Sequence, residues 1–143
     1  MNMNSTSLRN KDIIARARHI ANKARMEGRS LTLEALAEET RASQPLHFYQ
    51  NYDRASQMLH RIERLGIGAI VASAENKAMW LDLYMKVEKV LATRPRLNFS
   101  QALTHVLVFG RPDRFYLQTD TVRRIISPYF IATITEVVPS RRA

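Results

Sequence analysis

The segment PLHFY at residues 45–49 returns in related form 67 residues later, as PDRFY at residues 112–116. Each copy follows a short amphipathic stretch and precedes an acidic residue, Asp53 or Asp120, near the start of a helical apolar pattern. Proline interrupts a helix and biases the residue before it toward extended backbone. We therefore interpret both copies as structural hinges, with these predicted hinge residues: Pro45, Phe48, Tyr49, Pro112, Phe115 and Tyr116.

A shift of 67 residues also superposes the apolar stripes on either side of the hinges. The stripe Ile13, Ala17, Ile20, Ala24 falls on Trp80, Tyr84, Val87, Leu91, and the stripe Ala55, Met58, Leu59, Ile62 falls on Val122, Ile125, Ile126, Tyr129. Each unit of such a repeat buries the face that its partner leaves open. The sequence thus predicts an all-α fold of six to seven helices, as two tandem three-helix units related by an internal repeat. The alternative is coincidence between two amphipathic helix sets.

The predicted boundaries follow the apolar periodicity and its interruptions. They give a flexible tail at 1–9, a helical unit at 10–66, a joint at 67–73, a second unit at 74–138 and a basic tail at 139–143. Asn10, Thr32 and Asn51 are suitable N-caps, and a glycine ends the first helix where positive φ is favourable. The apolar, β-branched segment 130–138 fits a final helix or an edge strand, and the sequence leaves both open.

Composition places the chain among globular proteins with a strongly basic surface. Hydrophobic residues make up 45% of the 143 residues, cysteine is absent, and the formal net charge is +9. The absence of cysteine excludes disulfides and thiolate metal sites and fits a reducing compartment. The polar N-terminus lacks a signal-peptide pattern, and no apolar run approaches the roughly 18 residues that span a bilayer. We expect a cytoplasmic protein without a membrane partner.

A surplus of this sign attracts polyanions, most often nucleic acid. The first helix carries two heptad-spaced basic rows, which we expect on one exposed flank, and further arginines point outward from the third helix and surround the hinges. Duplex DNA is the predicted partner. The candidate contact residues are Arg16, Arg18, Lys23, Arg25, Arg41, Gln44, Arg54, Gln57, Arg61, Arg64, Arg111, Arg114, Arg123 and Arg124. The arginines that flank the hinges carry most of this prediction.

Two resemblances bear on this interpretation. Residues 31–62, which begin LTLEALAEETRASQPLHFYQNYDRASQML, resemble the helix-turn-helix of tetracycline-repressor-type regulators. That resemblance implies a recognition helix after the Thr-capped helix, with groove-facing residues Ser43, Gln44, His47 and Tyr49. The sequence departs from the pattern because Pro45 falls inside the implied recognition helix.

The second resemblance covers roughly residues 79–126. MWLDLYMKVEKVL, followed by RPDRFYLQTDTVRRII, is similar to short uncharacterised proteins of Bacteroidota mobile elements and prophages. Those proteins carry a Pro-x-x-[Arg/Lys]-Phe-[Tyr/Phe] unit before a short helix. The resemblance implies a mobile-element context and brings no established activity.

No residue pattern indicates catalysis. Glycines are scattered rather than grouped into a phosphate loop, the four histidines have no i, i+4 pairing, and no nucleophile-elbow context surrounds a serine. We therefore predict a protein that is not an enzyme, with no catalytic residues, no metal site and no cofactor. The alternative function is a protein-interaction or structural module with an acidic protein partner, which would expose an apolar patch near residues 130–138.

Overall fold

The computed structural model describes residues 4–132 and 137–139, and this part of the chain is built almost wholly from helices. The six helices are α1 (Ser5–Met26), α2 (Leu33–Ala42), α3 (Tyr52–Leu65), α4 (Ala74–Thr93), α5 (Phe99–Phe109) and α6 (Thr119–Ile126). Two 3₁₀ turns, Ile67–Ala69 and Ser127–Tyr129, and two short strands, β1 (Phe130–Ala132) and β2 (Val137–Pro139), complete the order. The predicted all-α class is confirmed.

Short polar side chains start most of the helices. Thr32 Oγ1 accepts a hydrogen bond from the Ala35 amide (3.0 Å), which satisfies one of the unpaired N–H groups at the start of α2. Asn51 caps α3 in the same way, and Asn98 forms a reciprocal capping box on α5. The predicted caps Thr32 and Asn51 are confirmed. The start of α6 differs, because Thr119 is its first residue and Gln118, the residue before it, makes no side-chain cap.

The predicted flexible tail at 1–9 is wrong for its last five residues. Helix α1 begins at Ser5, with the Asn4 side chain accepting from the Ser7 amide (2.8 Å). The apolar stripe starts later, at Ile13, so periodicity alone placed the cap at Asn10. At the other end the prediction holds, since Gly28 follows the helix with φ +73°.

The helices assemble into two units that differ from the predicted tandem division. The α1–α2–α6 unit contains residues up to Ser43 and from Leu117, and the α3–α4–α5 unit runs from Gln44 to Tyr116. Helix α3 therefore packs with α4 and α5, and helix α6 packs with α1 and α2. A connection of nine non-helical residues precedes each of α3 and α6, at 43–51 and 110–118. A stretch of nine residues can span roughly 30 Å, so such a connection does not restrict the next helix to the pair before it in the sequence.

The core of the α3–α4–α5 unit is built around the first hinge. Phe48, which is 5% exposed, packs in one cluster with residues of all three helices. Phe48 therefore packs among helices of both predicted units. The remaining buried members of the cluster are Ala55, Leu59, Ile62, Ile70, Met79, Trp80, Leu83, Val87, Ala102, Leu103 and Val106.

The α1–α2–α6 unit buries an alanine-rich face of α1. Ala17, Ala21 and Ala24 are 2% exposed or less, and α1 contacts both α2 and α6. Small side chains allow helix axes to approach closely. Leu36 of α2 and Ile126 of α6 supply bulkier side chains and are fully buried.

Burial at positions matched by the 67-residue shift agrees in some pairs and differs in others, such as Ala17/Tyr84 and Ile62/Tyr129, so the internal repeat stays a prediction. Both members are buried in the pairs Leu36/Leu103, Pro45/Pro112, Phe48/Phe115, Ala55/Val122 and Leu59/Ile126. Both members are half-buried in the pairs Tyr49/Tyr116 and Met58/Ile125.

The end of the described chain forms an antiparallel pair of strands. Phe130 pairs with Pro139 and Ala132 with Val137, so of the two structures left open for residues 130–138 the strand is correct at these positions. Phe130 is buried and Ile131 is 59% exposed. The connecting residues 133–136 and the predicted basic tail beyond Pro139 lie outside the described residues.

Candidate nucleic-acid interface

Helix α3 presents a basic stripe to solvent. Ala55, Leu59 and Ile62 are buried and fix the inner side of the helix. Four exposed residues on the other side share one strip, with spacings of three, four and three residues: Arg54, Gln57, Arg61 and Arg64. At about 100° per residue they fall within an arc of about 80°. Their predicted outward orientation is confirmed, and we call this set the α3 stripe.

No carboxylate neutralises the α3 stripe among the described residues. Arg61 and Arg64 make no ion pair there, and Arg54 lies over the Trp80 ring with its guanidinium carbon 5.9 Å from the centroid. Glu63, the acidic residue next to Arg64, instead accepts a hydrogen bond from the Tyr84 hydroxyl. That bond is the main cause that raises the pKa of Tyr84 to about 12. The three arginines of the stripe therefore have no ion-pair partner among the described residues.

The two basic rows of α1 do not share one flank, as had been expected. Arg16 and Arg18 are two positions apart, which on a helix separates them by about 160°. The row with Arg16 includes exposed Lys23, and the row with Arg18 includes exposed Arg25. Arg16 and Arg18 are half-buried, and Arg18 lies 5.6 Å over the Tyr129 ring. A single surface cannot use both rows.

The hinge arginines bind backbone carbonyl groups. In the α3–α4–α5 unit, Arg111 donates from Nε to the Pro45 carbonyl (2.7 Å) and from Nη2 to the Gln44 carbonyl (2.9 Å). In the α1–α2–α6 unit, Arg41 donates from Nε to the Leu117 carbonyl (2.6 Å). These hydrogen bonds satisfy carbonyls of the non-helical connections. They give Arg41 and Arg111 structural roles.

Three arginines near the second hinge have acidic partners. Arg114 donates to Glu75 (2.6 Å), and its guanidinium lies 4.4 Å over the Tyr116 ring. Arg123 donates to Asp120 (2.6 Å), and Arg124 lies 3.4 Å from the same carboxylate. The hydrogen bond from Arg123 lowers the pKa of the Asp120 carboxyl below its usual range. The charge around the second hinge is therefore partly neutralised.

The recognition helix implied by the regulator resemblance is absent from the described chain. Residues 43–51 contain no helical residue, because Pro45 disfavours helix at Gln44 and cannot donate to a helical ladder. Tyr49 has a positive φ of 59°, a left-handed conformation that also breaks a helix. Pro45 is fully buried, whereas Gln44 and His47 are exposed on an extended connection.

Sequence reasoning missed a polar network around Asp82 in the α3–α4–α5 unit. The Asp82 carboxylate accepts from the Tyr116 hydroxyl (2.6 Å) and from the Asp113 amide (2.9 Å), and it pairs with Lys86. Burial and the hydrogen bond to Asp82 raise the pKa of Tyr116 well above its ordinary value. The Tyr116 hydroxyl is thus bound within the protein. Asp82 is one of several charged residues on α4, and nothing in its spacing sets it apart. No sequence signal therefore marked it.

Comparison with protein-family models, with curated proteins and with solved structures finds no match for the chain. Within residues 4–132 and 137–139, no group of three or more histidine, aspartate and glutamate side chains could hold a metal ion. In the same residues, none of the helices combines the length and the apolar character needed to cross a bilayer. The α3 stripe is the clearest candidate interface on the described surface.

Proposed function

We propose that this protein binds nucleic acid, with duplex DNA as the main target, through the α3 stripe. The observation that carries the proposal is a row of three exposed arginines on one helix face with no carboxylate partner among the described residues. Phosphate neutralisation supplies most of the affinity of such proteins, because it releases condensed counterions. A stripe of uncompensated arginines is suited to that role.

The spacing of the stripe fits a helix lying along a groove. Arg54 and Arg64 are ten residues apart on α3, about 15 Å along the helix axis. The major groove of B-DNA is about 12 Å wide and admits an α-helix. In this arrangement Arg54, Arg61 and Arg64 contact phosphates, and Gln57 reaches a base edge, where glutamine pairs bidentately with adenine.

The net charge of the α3–α4–α5 unit supports the same function. Residues 44–116 contain ten lysines and arginines and six acidic residues, a net charge of +4. A positive field of this kind accelerates encounter with a polyanion. A regulatory or mobile-element accessory role is part of the proposal, and the mobile-element context rests on the second sequence resemblance alone.

A salt titration of DNA binding tests the proposal. With a fluorescein-labelled duplex and anisotropy as the readout, three phosphate contacts predict a slope of about −2.7 for log K against log salt. The double variant R61Q/R64Q should reduce the slope by about 1.8, because each lost contact removes about 0.9. Glutamine has nearly the helix propensity of arginine, so α3 should stay folded.

The matched control is R94Q/R96Q, which removes the same charge from the exposed connection after α4. Neither Arg94 nor Arg96 makes a side-chain ion pair in the described part of the chain. The control should leave the slope within about 0.5 of the wild-type value. Absence of duplex binding at low salt, or equal slopes for the two double variants, would refute the proposal.

A further inference from the structure

A shallow groove lies between α4 and α5, and no residue of the α3 stripe lines it. Its volume is about 240 Å³, and the aliphatic side chains of Val90 and Val106 form its apolar part together with Phe109. The ring of His105 lies 5.1 Å from the Phe109 ring at a tilt of 48°. The remaining lining residues are Lys86, Lys89, Gly110 and Arg111. We call this feature the α4–α5 groove.

The rim of the groove is cationic, and no acidic residue lines it. Lys89 is exposed and makes no ion pair among the described residues. Arg111 binds two neutral carbonyls, so its charge is not offset by a carboxylate. Lys86 contributes less, because Asp82 and Asp113 both pair with it. The rim thus favours a ligand with negative charge.

Three apolar side chains of α4 and α5 are exposed to solvent. The Phe109 side chain is 73% exposed, and Val108 and Met85 are 50% and 60% exposed. Aromatic side chains and methionine are enriched in protein interfaces, where they serve as anchor contacts. An exposed phenylalanine beside uncompensated cations therefore indicates contact with a larger molecule rather than with solvent alone.

We propose that the α4–α5 groove docks an acidic protein segment that carries one apolar anchor side chain between aspartate and glutamate residues. The anchor would enter the groove against Val106 and Phe109, and its acidic neighbours would pair with Lys89 and Arg111. The groove volume of about 240 Å³ is smaller than the roughly 300–1,000 Å³ of sites that enclose a small-molecule ligand. It suits one side chain of a longer segment. This binding activity goes beyond the proposed DNA contact and uses different helices.

The test uses the full-length chain and a defined probe. The probe is a short fluorescein-labelled peptide with a single phenylalanine between two runs of aspartate and glutamate, titrated in low salt with anisotropy as the readout. Two controls are peptides of the same length, one with alanine in place of the phenylalanine and one with lysine in place of every acidic residue. The phenylalanine-containing acidic peptide should bind at least about tenfold more tightly than either, as expected for loss of an anchor contact.

Protein variants locate the site. F109S and K89E each change an exposed residue and should weaken binding of the acidic peptide by about tenfold or more. The matched controls M26S and K23E change an exposed apolar residue and an exposed lysine on α1, and should change affinity by less than about twofold. Circular dichroism of each variant checks that the helices are retained.

The outcomes separate this proposal from the DNA proposal. R61Q/R64Q should leave peptide binding within about twofold of wild type, apart from a small general effect of net charge. The docking proposal is wrong if the acidic peptide does not bind, or if F109S and K89E bind it as wild type does. It is also wrong if decanoate, a small apolar anion, binds the groove while the peptide does not. None of these results depends on whether α3 binds DNA.

Discussion

Arg111 provides the sharpest test of the distinction between structural and DNA-contacting arginines. Its guanidinium spans two consecutive carbonyls, those of Gln44 and Pro45, at 2.9 and 2.7 Å. The R111K variant retains the positive charge, but a single ammonium cannot reproduce the planar two-donor geometry. If Arg111 holds the first hinge in place, the variant should lose stability although its charge is unchanged.

The magnitude follows from the number of hydrogen bonds. A hydrogen bond with a charged partner contributes about 1.5–3 kcal/mol. Arg111 is half-buried, and the ammonium can recover one of the two bonds, so we expect a net loss of about 2 kcal/mol. With a urea m-value of about 2 kcal/mol/M, the unfolding midpoint should fall by about 1 M.

Urea unfolding followed by circular dichroism measures this loss. The matched control is R61K, which makes the same exchange at an exposed arginine without an ion pair among the described residues. R61K should stay within about 0.5 kcal/mol of wild type. If R111K unfolds at the same midpoint as R61K, the bonds from Arg111 do not hold the hinge and the structural role is wrong.

The core, the caps and the pH dependence of stability give further predictions. L59A should destabilise the protein by about 3 kcal/mol, because it leaves a cavity in the core. L65A, at a 61% exposed site, should change stability by less than about 0.5 kcal/mol. Equal urea midpoints for the two variants would contradict the assigned inner face of α3. N98A should lower the free energy of unfolding by about 1 kcal/mol, because α5 loses its cap, whereas N98D should retain most of the wild-type stability. Two equally destabilised variants would argue against capping. The hydrogen bond to Glu63 raises the pKa of Tyr84 from 10.0 to about 12, so its contribution to stability is complete below pH 10 and is lost as the pH rises toward 12. Y84F should therefore show a shallower loss of stability than wild type over that pH range, and identical profiles would count against the bond.

The apolar stripes were readable from the sequence because each helix repeats its pattern every three to four residues. Burial of Leu59 and Val87 follows from that pattern, as does the exposure of Arg61. Caps such as Thr32 were readable because their chemistry is local. The start of α1 was missed, since its first two turns bury little apolar surface and have no stripe to mark them.

Which helices pack together could not be predicted from periodicity. A stripe on α3 specifies that one face is buried, but any complementary pair of helices can cover it. The connection around Pro45 reads as a hinge, and nine residues without helix allow more than one destination for the helix that follows. The tandem division assumed the nearest pair in the sequence, whereas α3 packs with α4 and α5.

The sequence alone could only partly distinguish candidate residues that bind within the protein from those exposed for DNA contact. Arg111 and its carbonyl partners are 66 and 67 residues apart, so no local pattern indicates that its donors are occupied. The charge of Arg114 is offset by Glu75, which is 39 residues away. By contrast, the α3 stripe could be recognised, because its spacing places all four residues on one helix face.

Amide chemical-shift mapping on addition of duplex DNA tests the proposed interface most directly. In ¹⁵N-labelled protein at low salt, the largest shifts should cluster at Arg54, Gln57, Arg61 and Arg64, and they should diminish as salt is raised. Residues of the α4–α5 groove and of α1 should shift much less. Shifts centred on α1 or on the hinge arginines, or no shifts when duplex is in excess, would contradict the assignment of α3 as the DNA-binding face.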